Sequence, residues 1–178
     1  ALGPATPTMT RSLGLPTDDP RVFIAGDNVG VTDGDGEVWI APSEEFEHFD
    51  PQTPPNLSLG AESVFAVDDA GFLIAYSRDA HVLYRVDAAV TAAVVETHDI
   101  VFGRAASALS VTWAGSDWAI LDATARSLAI DGSVVDLSEI IRPGERPQLQ
   151  VPSRAGDGVL VATSSGLFSI PAGGQSPV

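Results

Sequence analysis

The sequence predicts an all-β fold in which a unit of a little over forty residues is repeated four times. Four stretches align without gaps, and each opens with Asp or Gly; they are residues 27–40, 71–84, 117–130 and 157–170. Their first residues are successively 44, 46 and 40 positions apart. A repeat of this length built from short strands is typical of β-propeller blades. We therefore predict a β-propeller with about four blades of four antiparallel strands in this chain.

Apolar residues stand at fixed offsets, eleven and thirteen positions after the first residue of each stretch. These pairs are Val38/Ile40, Val82/Tyr84, Leu128/Ile130 and Phe168/Ile170. A step of two residues places both side chains of a pair on one face of a strand. We therefore expect the four pairs to be buried within the blades.

Further strand-like segments complete each unit. Those before the stretches are residues 21–25, 63–67, 108–113 and 147–151, and those after them are 46–49, 93–97 and 134–137. Between two strands of the third unit, Asp131 and Gly132 predict a two-residue hairpin turn. Helix is nearly excluded, and residues 136–141 favour a single turn at most.

The predicted blades occupy residues 20–59, 60–105, 106–146 and 147–178. Residues 1–19 are rich in Pro and Thr and are interpreted as a linker or a closing strand. The fourth unit ends before its outer strand, and an open edge strand invites aggregation. Either residues 8–15 donate that strand and close a four-bladed ring, or the four units belong to a larger ring, which we favour.

Composition restricts the function more than it defines it. The chain has 178 residues and a net charge of −15, with 24 acidic residues against nine arginines and no lysine. Such acidity argues against a nucleic acid as partner, because binding phosphates requires a basic patch. The absence of cysteine excludes disulfides and zinc–thiolate sites. No apolar run approaches the ~18 residues of a membrane-spanning helix.

The stretch at residues 33–37 is the strongest candidate for a metal site. Asp33, Asp35 and Glu37 alternate with glycines, and such oxygen ligands can surround Ca²⁺. The loop is shorter than an EF-hand loop and lacks its distal bidentate Glu. A hairpin turn that uses glycine for positive φ explains the same residues, and we prefer this interpretation, with no cofactor.

Other chemistry-bearing residues have plain structural interpretations. His48, His81 and His98 lack the spacing of metal ligands. No Gly-x-Ser-x-Gly motif is present, so that type of hydrolase lacks its nucleophile. Four arginines are candidates for binding a carboxylate substrate, although pairing with neighbouring carboxylates is the simpler expectation; they are Arg78, Arg85, Arg104 and Arg126.

Aromatic side chains lie on or beside the repeat strands. We interpret them as packing between blades and not as a platform for stacking a ligand. They are Trp39, Trp113, Trp118, Phe72, Tyr84 and Phe168.

Two segments of the repeat carry a family resemblance. Residues 156–171 (GDGVLVATSSGLFSIP) and 107–122 (SALSVTWAGSDWAILD) resemble the N-terminal propeller region of large exported proteins of high-GC Gram-positive bacteria. In those proteins the propeller precedes Ig-like or fibronectin type III domains. The resemblance covers roughly residues 21–171 and implies an extracellular or cell-envelope scaffold, with further blades or Ig-like domains on the parent chain. It implies no catalytic residues.

These observations lead to three hypotheses for the function. The first is a non-enzymatic exported scaffold that presents loops to a protein or glycan partner. The second is a propeller enzyme that acts on carbohydrate, of the sialidase, glycosidase or lyase type, with Asp27, Asp117 and Asp157 lining a central channel. The third is a structural subunit of a surface assembly. Fold alone does not decide among them, because propellers support both binding and catalysis.

Overall fold

The computed structural model describes residues 14–15, 17–45, 50–87, 92–97, 102, 108–115, 117–153 and 158–171. Within these residues the chain is all-β, with fifteen strands in four antiparallel sheets and no α-helix. The predicted all-β class and the predicted four antiparallel sheets are therefore confirmed. No helix in this described part is long and apolar enough to cross a membrane.

Each sheet is formed from strands that are consecutive in the sequence. Sheet 1 contains β1 (Arg21–Ala25), β2 (Asn28–Thr32), β3 (Glu37–Pro42) and β4 (Leu57–Ser58). Sheet 2 contains β5 (Ser63–Val67), β6 (Phe72–Ser77), β7 (Val82–Asp87) and β8 (Ala92–Thr97). Sheet 3 contains β9 (Leu109–Ala114), β10 (Asp117–Asp122), β11 (Ser127–Ile130) and β12 (Ser133–Asp136). Sheet 4 has three described strands, β13 (Gln148–Leu149), β14 (Gly158–Thr163) and β15 (Gly166–Pro171).

Local turn chemistry in the third sheet follows the sequence prediction. Ile130 pairs directly with Ser133, so Asp131 and Gly132 form the two-residue turn. Both residues have positive φ, +44° and +88°, as a primed hairpin turn requires. After β12, the N–H of Ile141 donates to the carbonyl of Leu137 at 2.9 Å and closes the single turn that was expected there.

The outer strand of sheet 1 differs from the prediction. The segment predicted to form it, residues 46–49, lies outside the described residues, and the strand that pairs with β3 is β4. Asn56 aligns this segment, because its Oδ1 accepts from the N–H of Ile40 at 2.7 Å and its own N–H donates to the carbonyl of Val38 at 2.8 Å. Residues 57 and 58, which the sequence prediction did not assign to a strand, therefore supply the outer strand.

The sheets stack in chain order, with one apolar layer between each neighbouring pair. The layer between sheets 1 and 2 contains Val38 and Leu73, both fully buried. The layer between sheets 2 and 3 contains Ile74 and Trp118. A third layer, between sheets 3 and 4, contains Leu121 and other fully buried residues such as Val161. Sheets 2 and 3 are therefore covered on both faces.

The expected burial of the apolar pairs is confirmed, in two cases only partly. Val38/Ile40 and Leu128/Ile130 are buried, and Ile170 is buried beside a half-buried Phe168. Val82 and Tyr84 are half-buried, and Leu83 between them is fully buried on the opposite face of β7.

The first strands of successive sheets lie next to one another. β1 contacts β5, β5 contacts β9, and β9 contacts β13. A parallel bridge between Ala114 and Ser153 joins sheets 3 and 4 at this edge. The stack is therefore held together along the edge formed by the first strands, which we call the inner edge.

Candidate functional site

A groove lies at the inner edge of the described chain. It has a volume of about 1080 Å³ and lies where β5, β9 and the segment 143–152 meet. Its walls include Ala66 and Val67 of β5 and Leu109 to Val111 of β9. The groove therefore involves three of the four sheets, because the segment 143–152 contains β13 and leads into sheet 4.

Hydrogen bonds tie the wall of sheet 4 to the wall of sheet 3. The Nε2 of Gln150 donates to the carbonyl of Trp113 at 3.3 Å, and its Oε1 accepts from the N–H of Leu160 at 2.7 Å. The N–H of Ser153 also donates to the carbonyl of Trp113 at 3.1 Å, and the N–H of Gly115 donates to the carbonyl of Ser153 at 3.0 Å. This side of the groove is preorganised, since backbone and side-chain bonds hold both walls together.

Glu145 fixes the loop that forms the rim of the groove. Its carboxylate accepts a hydrogen bond from the N–H of Arg142 at 2.9 Å and another from the N–H of Ser164 in the turn between β14 and β15. The Ser164 bond and then the Arg142 bond hold the pKa of Glu145 below its ordinary value, because they stabilise the ionised form. Glu145 is therefore ionised at neutral pH, and backbone donors satisfy its charge.

Two arginines give the groove positive side chains on a strongly acidic molecule. Arg126 and Arg146 line it, and Glu145 is the one acidic residue among the described residues that do so. The Nη1 of Arg126 donates to the carbonyl of Ser138 at 3.3 Å, while Arg146 is exposed. On a chain with a net charge of −15, this local positive charge marks the groove as a place where an anionic group can bind.

The described groove residues suit binding better than hydrolysis of glycosides. Most glycosidases use a pair of carboxyl groups, one as acid and the other as base or nucleophile. Here Glu145 already accepts from two backbone N–H groups, and its lowered pKa disfavours a role as general acid. Ser110, Thr124 and Gln148 add neutral hydrogen-bonding groups to the lining.

The three residues of the candidate calcium site lie at the turn between β2 and β3. Asp33 Oδ1 accepts from the N–H of Asp35 at 3.1 Å and from the N–H of Glu37 at 2.9 Å, so it caps the turn. Glu37 Oε1 accepts from the hydroxyl of Ser58 at 2.7 Å, and Asp35 is exposed. In the part of the chain that the structure describes, no three acidic or histidine residues are grouped to hold a metal ion. The calcium site stays a prediction for experiment.

Aspartates at two further turns form the same kind of cap. Asp68 Oδ1 accepts from the N–H groups of Ala70 and Phe72 at 2.9 and 2.8 Å, before β6. Asp122 Oδ1 accepts from the N–H groups of Thr124 and Ala125 at 2.9 and 2.8 Å, after β10. Asp68 and Asp122 therefore stabilise turns. Their spacing in the sequence did not predict this structural role.

The aspartates considered for a carbohydrate site are placed elsewhere. Asp27 is exposed in the turn between β1 and β2, and Asp117 is the first residue of β10. Neither belongs to the described lining of the groove. Asp157 lies outside the described residues.

The arginines and histidines considered in the sequence analysis lie in different parts of the structure. Arg78 forms an ion pair with Glu62, as the simpler expectation had it, whereas Arg126 lines the groove. Arg104, His48 and His98 lie outside the described residues. His81 is exposed, with Nδ1 3.4 Å from the hydroxyl of Tyr76.

The aromatic side chains pack in the core, as predicted. Trp39, Trp113 and Trp118 are each at most 6% exposed. The rings of Phe72 and Trp113 meet edge to face, with centroids 6.0 Å apart, between sheets 2 and 3. Phe72, Trp113 and Trp118 therefore join sheets 2 and 3, whereas Trp39 packs with Val31 on the face of sheet 1 opposite sheet 2.

Most of the groove was missed by sequence reasoning. Its residues come from three units and share no motif, and only their pairing across the inner edge brings them together. One local signal was present, namely the RPGERP stretch at residues 142–147, which concentrates two arginines and two prolines in one connection.

Comparisons with known proteins do not assign this chain to a family. No protein-family model matches this chain, and no curated protein matches it. A solved structure described as "Complex of KlAtg21 with coiled-coil of AgAtg16" is similar at 9% identity and a TM-score of 0.42. The alignment covers 86% of this chain and 66% of that chain. A likeness at this score supports no conclusion about fold or function.

Proposed function

We propose that this chain is a non-enzymatic interaction module, formed by four consecutive blades of a β-propeller that binds a partner in its inner-edge groove. Support for the propeller comes from the stacking of the sheets in chain order and from the contacts among β1, β5, β9 and β13. In a propeller, the first strand of every blade lies nearest the axis. The inner edge then faces the central channel.

The observation that carries the binding role is the pair of arginines in the groove. Arg126 and Arg146 offer planar guanidinium groups that match carboxylates in two-bond geometry. Glu145, the one acidic residue in the described lining, is already satisfied by backbone donors. The proposed ligand is therefore a carboxylate-bearing segment of a protein or glycan.

Titration calorimetry with two polyanions and a neutral polymer tests this function. Oligogalacturonate represents an acidic glycan, poly-glutamate represents an acidic protein segment, and dextran is the neutral control. We expect binding of at least one polyanion and none of dextran. Binding of oligogalacturonate alone would assign a glycan partner, and binding of poly-glutamate alone would assign a protein.

Variants of the groove make the test specific. Arg146→Ala should weaken binding about tenfold or more, because a hydrogen bond to a charged group contributes ~1.5–3 kcal/mol. Arg21→Ala removes the same charge from exposed β1, away from the groove lining, and should change affinity little. Equal loss in both variants, or no binding of either polyanion, would contradict the proposal.

The proposed location is extracellular or associated with the cell envelope. It is supported by the resemblance of residues 107–122 and 156–171 to propeller regions of exported proteins. Cell fractionation of a producing organism, with detection by an antibody against this chain, tests it. Recovery of the protein only in the cytosol would contradict it.

A further inference from the structure

Strand β9 is an edge strand of sheet 3, and part of its edge forms a wall of the groove. Two hydrogen bonds fix which backbone groups point to that edge. The carbonyl of Ala108 accepts from the N–H of Ala123 at 3.0 Å, so it points towards the β10 side. The carbonyl of Trp113 accepts from the N–H of Ser153 and from the side chain of Gln150, so it points away from β10.

Leu109 and Val111 therefore turn their N–H and carbonyl groups towards the groove. In an antiparallel pair, residues that bond across the pair alternate with residues whose backbone groups face outward. Leu109 and Val111 precede Trp113 by four and two positions, so they share its phase, and both line the groove. Among the described residues, none forms a hydrogen bond with these outward backbone groups. An edge of this kind is a template for pairing with another strand.

The far end of this edge already accepts a strand from the chain itself. Ser153 forms a parallel bridge with Ala114, just after the groove. Further back the segment turns to sheet 4, since β13 pairs with β14 and the N–H of Gln150 donates to a β14 carbonyl. Pro147 and Pro152 have no N–H to donate, which limits further pairing of this segment with β9. The groove is thus the space between β9 and a wall that departs from it.

The side chains of the groove indicate what kind of strand fits this space. Arg126 and Arg146 suit carboxylates, as argued above. Val151 lines the groove as well, and its apolar side chain is 79% exposed. A polypeptide can supply carboxylates, an apolar side chain and main-chain hydrogen-bonding groups together. An acidic glycan such as oligogalacturonate supplies the carboxylates but has no amide backbone to pair with a strand.

We infer that the ligand of the groove is an extended acidic polypeptide segment that adds a strand to the edge of β9 at residues 109–111. In this mode of recognition main-chain hydrogen bonds give affinity, and alternate side chains give specificity. Carboxylates of the segment meet Arg126 and Arg146, and an apolar side chain covers Val151. This inference rests on the proposed function of the groove and names the class of its partner.

Amide hydrogen exchange of the wild-type chain, measured by NMR with a peptide of alternating Glu and Val, tests this mode. In the free chain, the amides of Leu109 and Val111 should exchange fast. Those of Ser110 and Thr112 should exchange slowly, because they face β10, and they serve as internal controls. Saturating peptide should slow exchange at Leu109 and Val111 about tenfold or more, because their N–H groups gain acceptors.

Methylated peptides and one variant separate main-chain pairing from charge. Two isomers of the peptide, N-methylated on every Glu or on every Val, keep all side chains but lose alternate N–H groups. In calorimetry at least one isomer should bind about tenfold more weakly than the parent peptide. Val151→Ser should reduce the preference for the alternating peptide over poly-glutamate, because the apolar contact is lost.

The outcomes distinguish this inference from the proposed function. Slow exchange at Leu109 and Val111 in the free chain, or peptide binding that leaves their exchange unchanged, would overturn the inference. Equal affinity of the parent peptide and both methylated isomers would also overturn it. Binding of oligogalacturonate without binding of the peptide would overturn the inference and leave the proposed function standing. Binding of neither the peptide nor any polyanion would overturn both.

Discussion

Glu145 accepts a hydrogen bond from the backbone N–H of Ser164, nineteen residues further along the chain. The bond fastens the loop at the rim of the groove to the turn between β14 and β15. Ser165 reinforces this junction, since its hydroxyl donates to the carbonyl of Ile140 at 3.3 Å. The connection between sheets 3 and 4 is therefore anchored by a carboxylate whose contribution depends on pH.

Replacing Glu145 by Gln should lower stability more at neutral pH than in acid. The folded-state pKa of Glu145 lies below its ordinary value of 4.5, so its stabilising contribution is complete above that pH. The contribution is lost as pH falls through the lower folded-state pKa. The difference in melting temperature between wild type and Glu145→Gln should therefore shrink from pH 7 to pH 3. A difference that is constant over this range would contradict the role of the charge.

The substitution Gly36→Ala should destabilise the protein by about 3 kcal/mol or more. Gly36 has φ of +79°, and an added Cβ would overlap the backbone of Gly60. Gly132→Ala is the matched control, because φ is +88° but nothing lies within 4 Å of the added Cβ. It should cost only about 1–2 kcal/mol of backbone strain. Urea unfolding of both variants measures the difference, and equal losses would argue against the close approach.

Asp33→Ala should cost about 1–2 kcal/mol of unfolding free energy, because two backbone N–H groups lose their acceptor. Asp33→Asn should cost less, since the amide oxygen can still accept from the N–H groups of Asp35 and Glu37. Asp35→Ala at the exposed neighbouring position should be close to neutral. If Asp35→Ala were as costly as Asp33→Ala in urea unfolding, the assignment of the cap to Asp33 would be wrong.

Millimolar Ca²⁺ should leave the melting temperature unchanged. Asp33 and Glu37 already accept hydrogen bonds within the hairpin, and Asp35 is exposed. A ligand that binds only the folded state raises stability by RT ln(1 + [L]/Kd), so scanning calorimetry would detect a real site. A rise that is specific for Ca²⁺ over Mg²⁺ and disappears in Asp35→Asn would establish the calcium site instead.

The repeat in the sequence predicted the four sheets, but it did not predict which face of each strand packs against which neighbouring sheet. Val38 and Tyr84 stand eleven and thirteen residues into their stretches, a separation of two that predicts the same face, yet they point to opposite faces of their sheets and share the layer between sheets 1 and 2. Leu128 and Phe168 likewise share the layer between sheets 3 and 4. A shift of one residue in a strand exchanges its two faces. The hairpin turns inside the aligned stretches differ in length, since five residues lie between the paired Thr32 and Val38, four between Ser77 and Val82, and two between Thr163 and Gly166. An ungapped alignment therefore matches strands without matching their faces.

The candidate site was much harder to predict than the strands. Strand periodicity is local, and a turn such as Asp131 and Gly132 can be recognised from two residues. The groove instead depends on contacts between residues that are far apart in the sequence. The side chain of Gln150, which follows β13 of sheet 4, donates a hydrogen bond to the carbonyl of Trp113 in sheet 3. No local pattern specifies that contact. Arg126 was considered as a carboxylate ligand, while Arg146 was not.

Residue-level NMR titration with oligogalacturonate and with poly-glutamate tests the central claim most directly. With the polyanion that binds, we predict that amide shifts concentrate at groove residues such as Ser110, Thr124 and Gln148. The same shifts should diminish in Arg146→Ala and persist in Arg21→Ala. Shifts confined to other regions, such as the turn at residues 33–37, or shifts that are unchanged in Arg146→Ala, would contradict the assignment of the groove as the binding site.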